Sequence, residues 1–327
     1  MFKGVDFWPH EKTFPIMDFR RTCVMITSGI FLAAVLLLTV QGLNFGIDFK
    51  GGSLFEIQAK AEAGGEPGAL DISELRSKLG GLGLGDVQIQ QLDKPSDALI
   101  RVEQQPVKEG EDVEKVQQAA AAKVQEALGD GIEIRRTEVV GSAVSGELQW
   151  AGIMAVTFAM VGILLYIWFR FEWQFAAAAV IATVHDITIT LGVFALLGLD
   201  FGLSEVAALL TLAGYSINDT VVVFDRIREN LRRYKKMALD KLMNQSINET
   251  MSRTVVTSGT TLIAVLAVYV FGTEVIKGFA FAMIFGILIG TWSSVFVASP
   301  FLLWIGVKRD WSGLAKSDKA TAAAQAP

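Results

Sequence analysis

The chain has 327 residues, 52% of them hydrophobic, with a mean hydropathy of +0.43 and a formal net charge of −5. This composition is far more apolar than that of an average soluble domain, so it excludes an ordinary soluble protein. The single cysteine, Cys23, excludes an intrachain disulfide. We therefore expect a membrane protein whose soluble part folds on its own core.

Six apolar blocks are each long enough to span the hydrocarbon core of a bilayer, which takes roughly 17–25 helical residues. The segment 1–22 is too long for the n-region of a signal peptide, and no small-residue cleavage site follows the first block, so that block is expected to stay as an anchor. The sequence thus predicts an α-helical polytopic protein with six transmembrane helices, in the blocks 23–40, 151–169, 175–197, 203–224, 255–271 and about 279–300.

Basic residues indicate the orientation, because lysine and arginine flanks are retained in the cytoplasm. We expect the termini 1–22 and 308–327 and a loop at 225–253 to be cytoplasmic, and the segment 42–149 to lie on the outer side of the membrane. The basic residues behind this prediction are Lys3, Lys12, Arg20, Arg21, Arg170, Arg226, Arg228, Arg232, Arg233, Lys235, Lys236, Lys241, Lys308 and Arg309.

The segment 42–149 has the pattern of a soluble domain. It carries 19 acidic and 11 basic residues, and this acidic balance argues against a nucleic-acid partner, which needs a basic face. Alternation predicts strands at "SLFEIQA", "DVQIQQL", "ALIRVEQ" and "IEIRRTEV". Helical spacing predicts helices at "DISELRSKLGGLG", with Asp71 as N-cap, and at 112–128. The order βαββαβ predicts a ferredoxin-like α+β domain.

The motif "GIDFKGG" joins the first apolar block to this domain. Its glycines, Gly46, Gly51 and Gly52, stand where the chain turns into the sheet, and permissive backbone angles account for them without a ligand. We expect Asp48 and Lys50 to position the domain on the membrane.

Motifs for enzymatic chemistry do not occur in the sequence. There is no Walker A motif, His10 and His185 cannot form HExxH, and Cys23 lies in an apolar helix. The sequence therefore predicts no enzyme, no cofactor and no metal site.

Three predicted membrane helices carry polar residues at helical spacing, and such residues normally face a bundle interior. A carboxyl group such as that of Asp219, inside the apolar run 203–224, costs roughly 2.5–3.5 kcal/mol on insertion scales, so it is usually kept for a function. The stripes together predict one polar seam. Its members are Thr183, Asp186 and Thr190, with His185 adjacent; Ala208, Thr211, Tyr215 and Asp219; and Arg253, Thr257, Thr260 and Ala264.

The seam has a functional and a structural interpretation. Asp219 either exchanges a proton or forms a static pair with Arg253 that only orients two helices; such a pair adds little stability over apolar packing. Asp186 either takes part in transport or forms helix–helix hydrogen bonds, and His185 either shuttles a proton or is a structural residue. We expect proton coupling at Asp219, Arg253, Asp186 and His185, supported by Tyr215, Asn218, Thr257 and Thr260.

Four segments, spread over nearly the whole chain, carry a family resemblance. They are "GIDFKGG" (46–52), "HDITITLG" (185–192), "GYSINDTVVVFDRIREN" (214–230) and "ETMSRTVVTSGTTL" (249–262). They resemble the SecF subunit family of the bacterial Sec protein translocase, part of the SecD/SecF family in the RND superfamily. The resemblance implies that Asp219 is the family's membrane carboxylate and Arg253 the arginine that opens the fifth helix.

The resemblance also implies partners and a task. Family members of this type form a pseudo-symmetric twelve-helix unit with SecD, to which this chain would contribute one six-helix, RND-like half. They work beside SecYEG and YajC in the bacterial inner membrane. With SecD they use the proton-motive force in late steps of preprotein export, so unfolded preprotein and membrane lipid are the expected contacts.

Two rival hypotheses remain beside this energy transducer. An RND-type exporter of small molecules or lipids would need large outer domains with a substrate cleft, whereas the outer domain is a single unit of about 105 residues. A passive scaffold for the translocon predicts that Asp219 can be replaced without loss of function.

Overall fold

The computed structural model describes residues 13–61, 67–85, 87–92, 94–107 and 112–307. The predicted basic positions Lys3, Lys12, Lys308 and Arg309 and the predicted tail 308–327 lie outside the described residues. The chain divides into two compact units. A helical unit contains 13–43, 156–199 and 204–307, and an α+β unit contains 44–155 and 200–203.

Ten helices and six strands form within the described residues. In chain order they are α1 (Arg20–Val40), which follows a 3₁₀ turn (Ile16–Phe19), β1 (Asn44–Phe45), α2 (Ile47–Lys50), β2 (Gly52–Ala59), α3 (Ile72–Gly80), β3 (Val87–Gln91), β4 (Asp97–Val102), α4 (Val113–Leu128), β5 (Ile132–Val140), α5 (Ser142–Arg170), α6 (Trp173–Leu197), β6 (Asp200–Phe201), α7 (Leu203–Arg233), α8 (Leu239–Phe271), α9 (Glu274–Ser293), a π-helical segment (Ser294–Ala298) and α10 (Ser299–Ile305). The last three follow one another without a gap.

The predicted six transmembrane helices are confirmed. In the described part of the chain, six helical stretches are long and apolar enough to cross a membrane, and each contains one of the apolar blocks. They are Ile16–Val40, Val144–Arg170, Trp173–Leu197, Leu203–Arg233, Leu239–Phe271 and Val275–Ile305.

The segment 225–253, which we expected to form a loop, is helical apart from 234–238. α7 and α8 both extend into it beyond their apolar runs. The extensions bury apolar residues at helical spacing: Ile227, Leu231, Met243 and Ile247. The prediction followed the end of the apolar run and missed this amphipathic pattern.

The α+β unit contains a four-stranded antiparallel sheet with strand order β3-β4-β2-β5. Because α3 lies between β2 and β3, and α4 between β4 and β5, this is the βαββαβ order of a ferredoxin-like fold, and it confirms the prediction. Burial alternates along β4 with the period of two that a half-buried strand requires. The core is formed by residues that include Phe55, Ile57, Leu75, Leu79, Ile100, Val102, Val124 and Leu128.

A short parallel ladder joins two segments that the sequence analysis did not connect. β1 pairs with β6, and Asn44 Nδ2 donates a hydrogen bond to Asp200 Oδ1 at 2.7 Å. Arg101 of β4 forms an ion pair with the same carboxylate. The two segments carry the similar motifs "LNFG" and "LDFG". This repeat is the sequence feature that could have predicted their pairing.

The motif "GIDFKGG" forms α2 and the turn into β2. Gly51 and Gly52 have φ angles of 75° and 122°, and a Cβ on Gly52 would lie 2.4 Å from the carbonyl oxygen of Val102. Both positions therefore require glycine, as expected. Gly46 has a φ of −69°, so the prediction of a permissive angle there is wrong; its N–H donates to the carbonyl oxygen of Phe201 at 2.9 Å.

Asp48 and Lys50 lie in α2 between these glycines. Asp48 Oδ2 accepts a hydrogen bond at 2.9 Å from the N–H of Leu203, the first residue of α7. The first N–H groups of a helix have no partner within it, so this carboxylate satisfies one of them. Lys50 is exposed. The role of both in positioning the domain on the membrane stays a prediction.

Glycines in the membrane helices allow close helix contacts. A Cβ on Gly192 of α6 would lie 2.4 Å from the Cβ of Ala34 on α1. On α9, a Cβ on Gly286 would lie 2.5 Å from the side chain of Leu212 on α7. α6 is therefore held directly against α1, and α9 directly against α7.

We expect Gly52→Ala to weaken the pairing of β2 with β4. The alanine adds positive-φ strain of about 1–3 kcal/mol and a clash with a backbone oxygen. Gly83→Ala is the matched control, because its φ is +67° but nothing lies within 4 Å of the added Cβ. Hydrogen–deuterium exchange of the full chain, followed in peptides from β2 and β4, should be faster only in Gly52→Ala. Equal exchange in the two variants would contradict the steric argument.

Candidate functional site

Asp219 lies in α7 with 5% of its surface exposed, and two other elements provide its hydrogen bonds. Thr254 of α8 donates to Oδ1 at 2.7 Å. Ser294, the first residue of the π-helical segment, donates to Oδ2 at 3.0 Å. Each oxygen of the carboxylate is thus held by a hydroxyl group from a different element.

Asp186 of α6 is a second carboxylate, with no exposed surface. Its Oδ2 accepts hydrogen bonds from Ser216 of α7 at 2.6 Å and from Ser293 of α9 at 2.7 Å. Its Oδ1 lies 2.9 Å from Nδ1 of the adjacent His185. These partners offset the cost of burying a carboxylate, which is large when the group has no hydrogen bonds.

Ser293 and Ser294 are consecutive but hold different carboxylates, those of Asp186 and Asp219 respectively. The helix changes from α to π geometry at Ser294. Pro300 accounts for an irregular turn here, because it lacks an N–H and its ring clashes with the carbonyl group four residues earlier. One peptide bond therefore links the two carboxylate sites.

The His185 ring has one nitrogen on Asp186 and the other, Nε2, buried without a hydrogen-bond partner among the described residues. The ring stacks on Phe31 of α1, with centroids 5.9 Å apart and planes 9° apart. An imidazole can carry a proton between its two nitrogens. His185 therefore connects the Asp186 site to the contact between α1 and α6.

Only part of the predicted seam comes together. Asp186, His185 and Asp219 lie in the two linked sites, but Arg253 is exposed. Within the described chain, no ion pair of 4.0 Å or less joins Arg253 to Asp219. The next residue, Thr254, makes the direct contact with Asp219, while Arg253 acts on that carboxylate only through a longer-range electrostatic interaction. The choice between the two interpretations stays a prediction.

Among the described residues, none of the four supporting residues donates a hydrogen bond to either carboxylate. Asn218 and Thr260 are exposed, while Tyr215 and Thr257 are half-buried. The hydroxyl groups of Thr257 and Thr260 donate to carbonyl oxygens of their own helix. Their supporting role stays a prediction.

Four hydroxyl residues at the two sites were missed in the sequence: Ser216, Thr254, Ser293 and Ser294. Ser216 stands one helical turn before Asp219, and Thr254 follows Arg253. The pair "SS" at 293–294 interrupts the sixth apolar block, and polar residues inside such a block were the available signal.

A polar network also joins the extended parts of α7 and α8. Glu249 accepts hydrogen bonds from Arg226 at 2.6 Å, from Asn230 at 2.8 Å and from Gln245 at 2.8 Å. Since Arg226 and Asn230 belong to α7, and Glu249 to α8, the network fixes the two helices to each other beyond the Asp219 site.

Both carboxylates lie in a region that matches a known family. Residues 120–308 match the model for the protein export membrane protein SecD/SecF, C-terminal, and residues 36–63 match the SecD/SecF GG motif. The chain belongs to the SecD/SecF family. The second match contains "GIDFKGG", so the turn into the α+β unit is also a family feature.

Relatives within the SecD/SecF family match along almost the whole chain. Identity to the protein translocase subunit SecF of Rhodobacter capsulatus is 47% over 321 residues, which is 95% of this chain and 94% of that protein. Identity to SecF of Vibrio alginolyticus is 40% over 92% of both chains. The protein translocase subunit SecDF of Brucella abortus is 41% identical over 86% of this chain and 36% of its own length. By homology, this family member is a translocase subunit of the SecF type.

Solved structures of SecDF have the same fold over most of this chain. The crystal structure of SecDF, a translocon-associated membrane protein from Thermus thermophilus, matches with a TM-score of 0.77 and 33% identity over 91% of this chain and 39% of that one. A crystal structure of SecDF in a super-membrane-facing form gives a TM-score of 0.64 and 32% identity, over 98% of this chain and 41% of that one. This chain therefore corresponds to part of the longer SecDF chains.

We expect Thr254→Val to lower the free energy of unfolding by about 1–3 kcal/mol, because it leaves Oδ1 of Asp219 buried without a donor. Valine keeps the shape of the side chain. Thr257→Val is the matched control, since its hydroxyl donates only within α8, and it should change stability by less than about 0.5 kcal/mol. Thermal unfolding of the purified full chain in detergent measures both. Equal stability of the two variants would show that the Thr254 hydroxyl does not hold Asp219.

Proposed function

We propose that this SecD/SecF family member is a non-enzymatic energy transducer that uses the proton-motive force to assist late steps of preprotein export. The observation that carries the proposal is the setting of Asp219. Its carboxyl group is buried in a membrane helix, and hydroxyl groups hold both oxygens. A group held in this way can gain or lose a proton without breaking an ion pair.

Protonation changes the hydrogen bonds that this carboxyl group can make. Charged Asp219 accepts at both oxygens, whereas the protonated group has one oxygen that donates. The hydroxyl at that oxygen must then accept instead of donate, and the Ser294 hydroxyl can do so because its own hydrogen has another acceptor, the carbonyl oxygen of Thr291, at 3.0 Å. A hydrogen bond between neutral groups is weaker than one to a carboxylate. We expect this exchange to loosen the end of α9 from α7 and to shift Ser293, which holds Asp186.

Proton uptake from the outer side gives this exchange a direction. One charge that crosses 100 mV releases about 2.3 kcal/mol, which is comparable with one or two hydrogen bonds in a protein. Repeated uptake and release would move the helices and the outer domain. We propose that this movement holds or pulls an emerging, unfolded preprotein.

Exposed polar residues on the membrane helices support SecD as a partner. Thr211 and Asn218 on α7 and Arg253 and Thr260 on α8 are exposed in this chain. Polar groups at membrane depth normally face protein or water rather than lipid. We propose that a second six-helix half, SecD, covers this face, and that SecYEG and YajC are further partners. The SecDF relatives support this arrangement, because this chain matches only part of their length.

We expect the protein to lie in the bacterial inner membrane with its termini cytoplasmic and its α+β unit periplasmic. Single cysteines at Arg76 on α3 and at Lys236 between α7 and α8, both exposed, test this in a Cys23→Ala background. A membrane-impermeant maleimide should label Arg76→Cys in spheroplasts, and Lys236→Cys only after the membrane is opened. Labelling of both from one side would contradict the orientation.

We expect Asp219→Asn to abolish the stimulation of export by a proton gradient while folding and SecD binding persist. Asparagine has nearly the same shape and keeps one acceptor oxygen, but it cannot take up a proton. The measurement is completion of transit by a preprotein trapped midway through membrane vesicles, with and without an imposed gradient. Only the gradient-dependent part should be lost.

Asp240→Asn is the control for this variant, because it removes a carboxylate from the first turn of α8, away from both sites. It should respond to the gradient as the wild type does. Wild-type stimulation in Asp219→Asn would contradict the proposal and favour the passive scaffold. Stimulation of the wild type by a sodium gradient alone would contradict proton coupling.

A further inference from the structure

A basic concavity of about 490 Å³ lies where α5 ends beside the last turns of α7. Four arginines and two acidic residues line it, so the formal charge of the lining is +2. The lining residues are Arg170, Asp225, Arg228, Glu229, Arg232 and Arg233. The Asp219 and Asp186 sites do not include these residues, and the proposed function does not use them.

Phe171 sets the position of two of these arginines. The guanidinium carbons of Arg170 and Arg228 lie 5.2 Å and 5.7 Å from the centre of its ring, within the range of a cation–π contact. Arg228 Nη1 also donates to the carbonyl oxygen of Arg170 at 3.3 Å. Phe171 packs on the buried Phe175, which packs on the buried Phe224. The two guanidinium groups therefore rest on a column of aromatic rings anchored in the core.

Exposed aromatic residues place the concavity at the membrane boundary. Trp168, Phe169 and Trp173 beside it are 58%, 96% and 58% exposed, and tryptophan concentrates at the level of lipid headgroups. Arg232 stands one helical turn beyond Arg228 on α7. The basic lining therefore extends from the headgroup level toward the aqueous side.

We propose that this concavity binds the phosphodiester headgroup of an anionic phospholipid. Guanidinium groups present paired N–H donors that match phosphate oxygens, and basic pockets between membrane helices suit such headgroups. Asp225, 3.8 Å from Arg170, competes with the lipid for that arginine, and the lining as a whole has an excess of two positive charges. This excess favours a headgroup with two phosphates, and the exposed aromatic rings would lie against its acyl chains.

Native mass spectrometry of the purified full chain tests the proposal, with cardiolipin as the two-phosphate probe and phosphatidylcholine as the neutral reference. The wild type should bind cardiolipin more tightly than phosphatidylcholine. The double variant Arg228→Gln with Arg232→Gln should lose about fivefold in cardiolipin affinity for each arginine removed, because each basic group near an anionic lipid contributes about that factor. If the double variant is not monodisperse, Arg232→Gln alone should lose about fivefold.

Arg21→Gln is the matched control, since it removes an exposed arginine on the same predicted side of the membrane and outside the concavity. It should bind cardiolipin as the wild type does. Inorganic phosphate in millimolar excess should not displace the lipid, and displacement would assign the site to a free anion instead. Equal cardiolipin affinity in the wild type and the Arg228/Arg232 variants would overturn the proposal. It would also be overturned if the wild type bound phosphatidylcholine as tightly as cardiolipin.

Discussion

A carboxylate buried among membrane helices needs hydrogen-bond donors, and here neighbouring helices provide most of them. Asp219 takes hydroxyl groups from α8 and from the π-helical segment, and Asp186 takes them from α7 and α9. α6, α7, α8 and α9 must therefore meet at one level of the bundle. The contact at Gly286, which brings α9 against α7, makes this meeting sterically possible.

The two carboxyl groups are not independent, because consecutive residues of one helix hold them. A change of the backbone at Ser294 would also move Ser293, which donates to Asp186. The π geometry that begins at Ser294 is less regular than an α-helix and is frequent at functional sites. On the other side of Asp219, Thr254 stands in the same helix as Glu249, whose network binds α7. Asp219 is therefore in direct contact, through Thr254 and Ser294, with α8 and with the π-helical segment that follows α9.

Local patterns predicted much of the fold. The apolar blocks gave six membrane helices, alternation gave the strands, and Asp71 caps α3 through the N–H groups of Ser73 and Glu74 as expected. The orientation of individual side chains in the membrane helices depends instead on tertiary packing. Spacing along α8 does not tell whether Arg253 or Thr254 faces Asp219, because the two differ by about 100° of rotation that only the neighbouring helices set. The π-helical segment likewise changes which side chains face inward after Ser293. A sequence pattern with the α-helical period of 3.6 residues does not predict that change.

The pairing of β1 with β6 affects the order in which parts of the chain can fold during synthesis. Asn44 meets Asp200, 156 residues later, and ribosomes add about 5–20 residues per second, so β1 waits roughly 8–30 s for its partner strand. All four strands of the main sheet are synthesised in that interval, and so are α5 and α6. A nascent chain arrested before residue 200 would thus contain every strand of its ferredoxin-like sheet. It would lack Asp200, so the contacts of that carboxylate with Asn44 and Arg101 could not yet form.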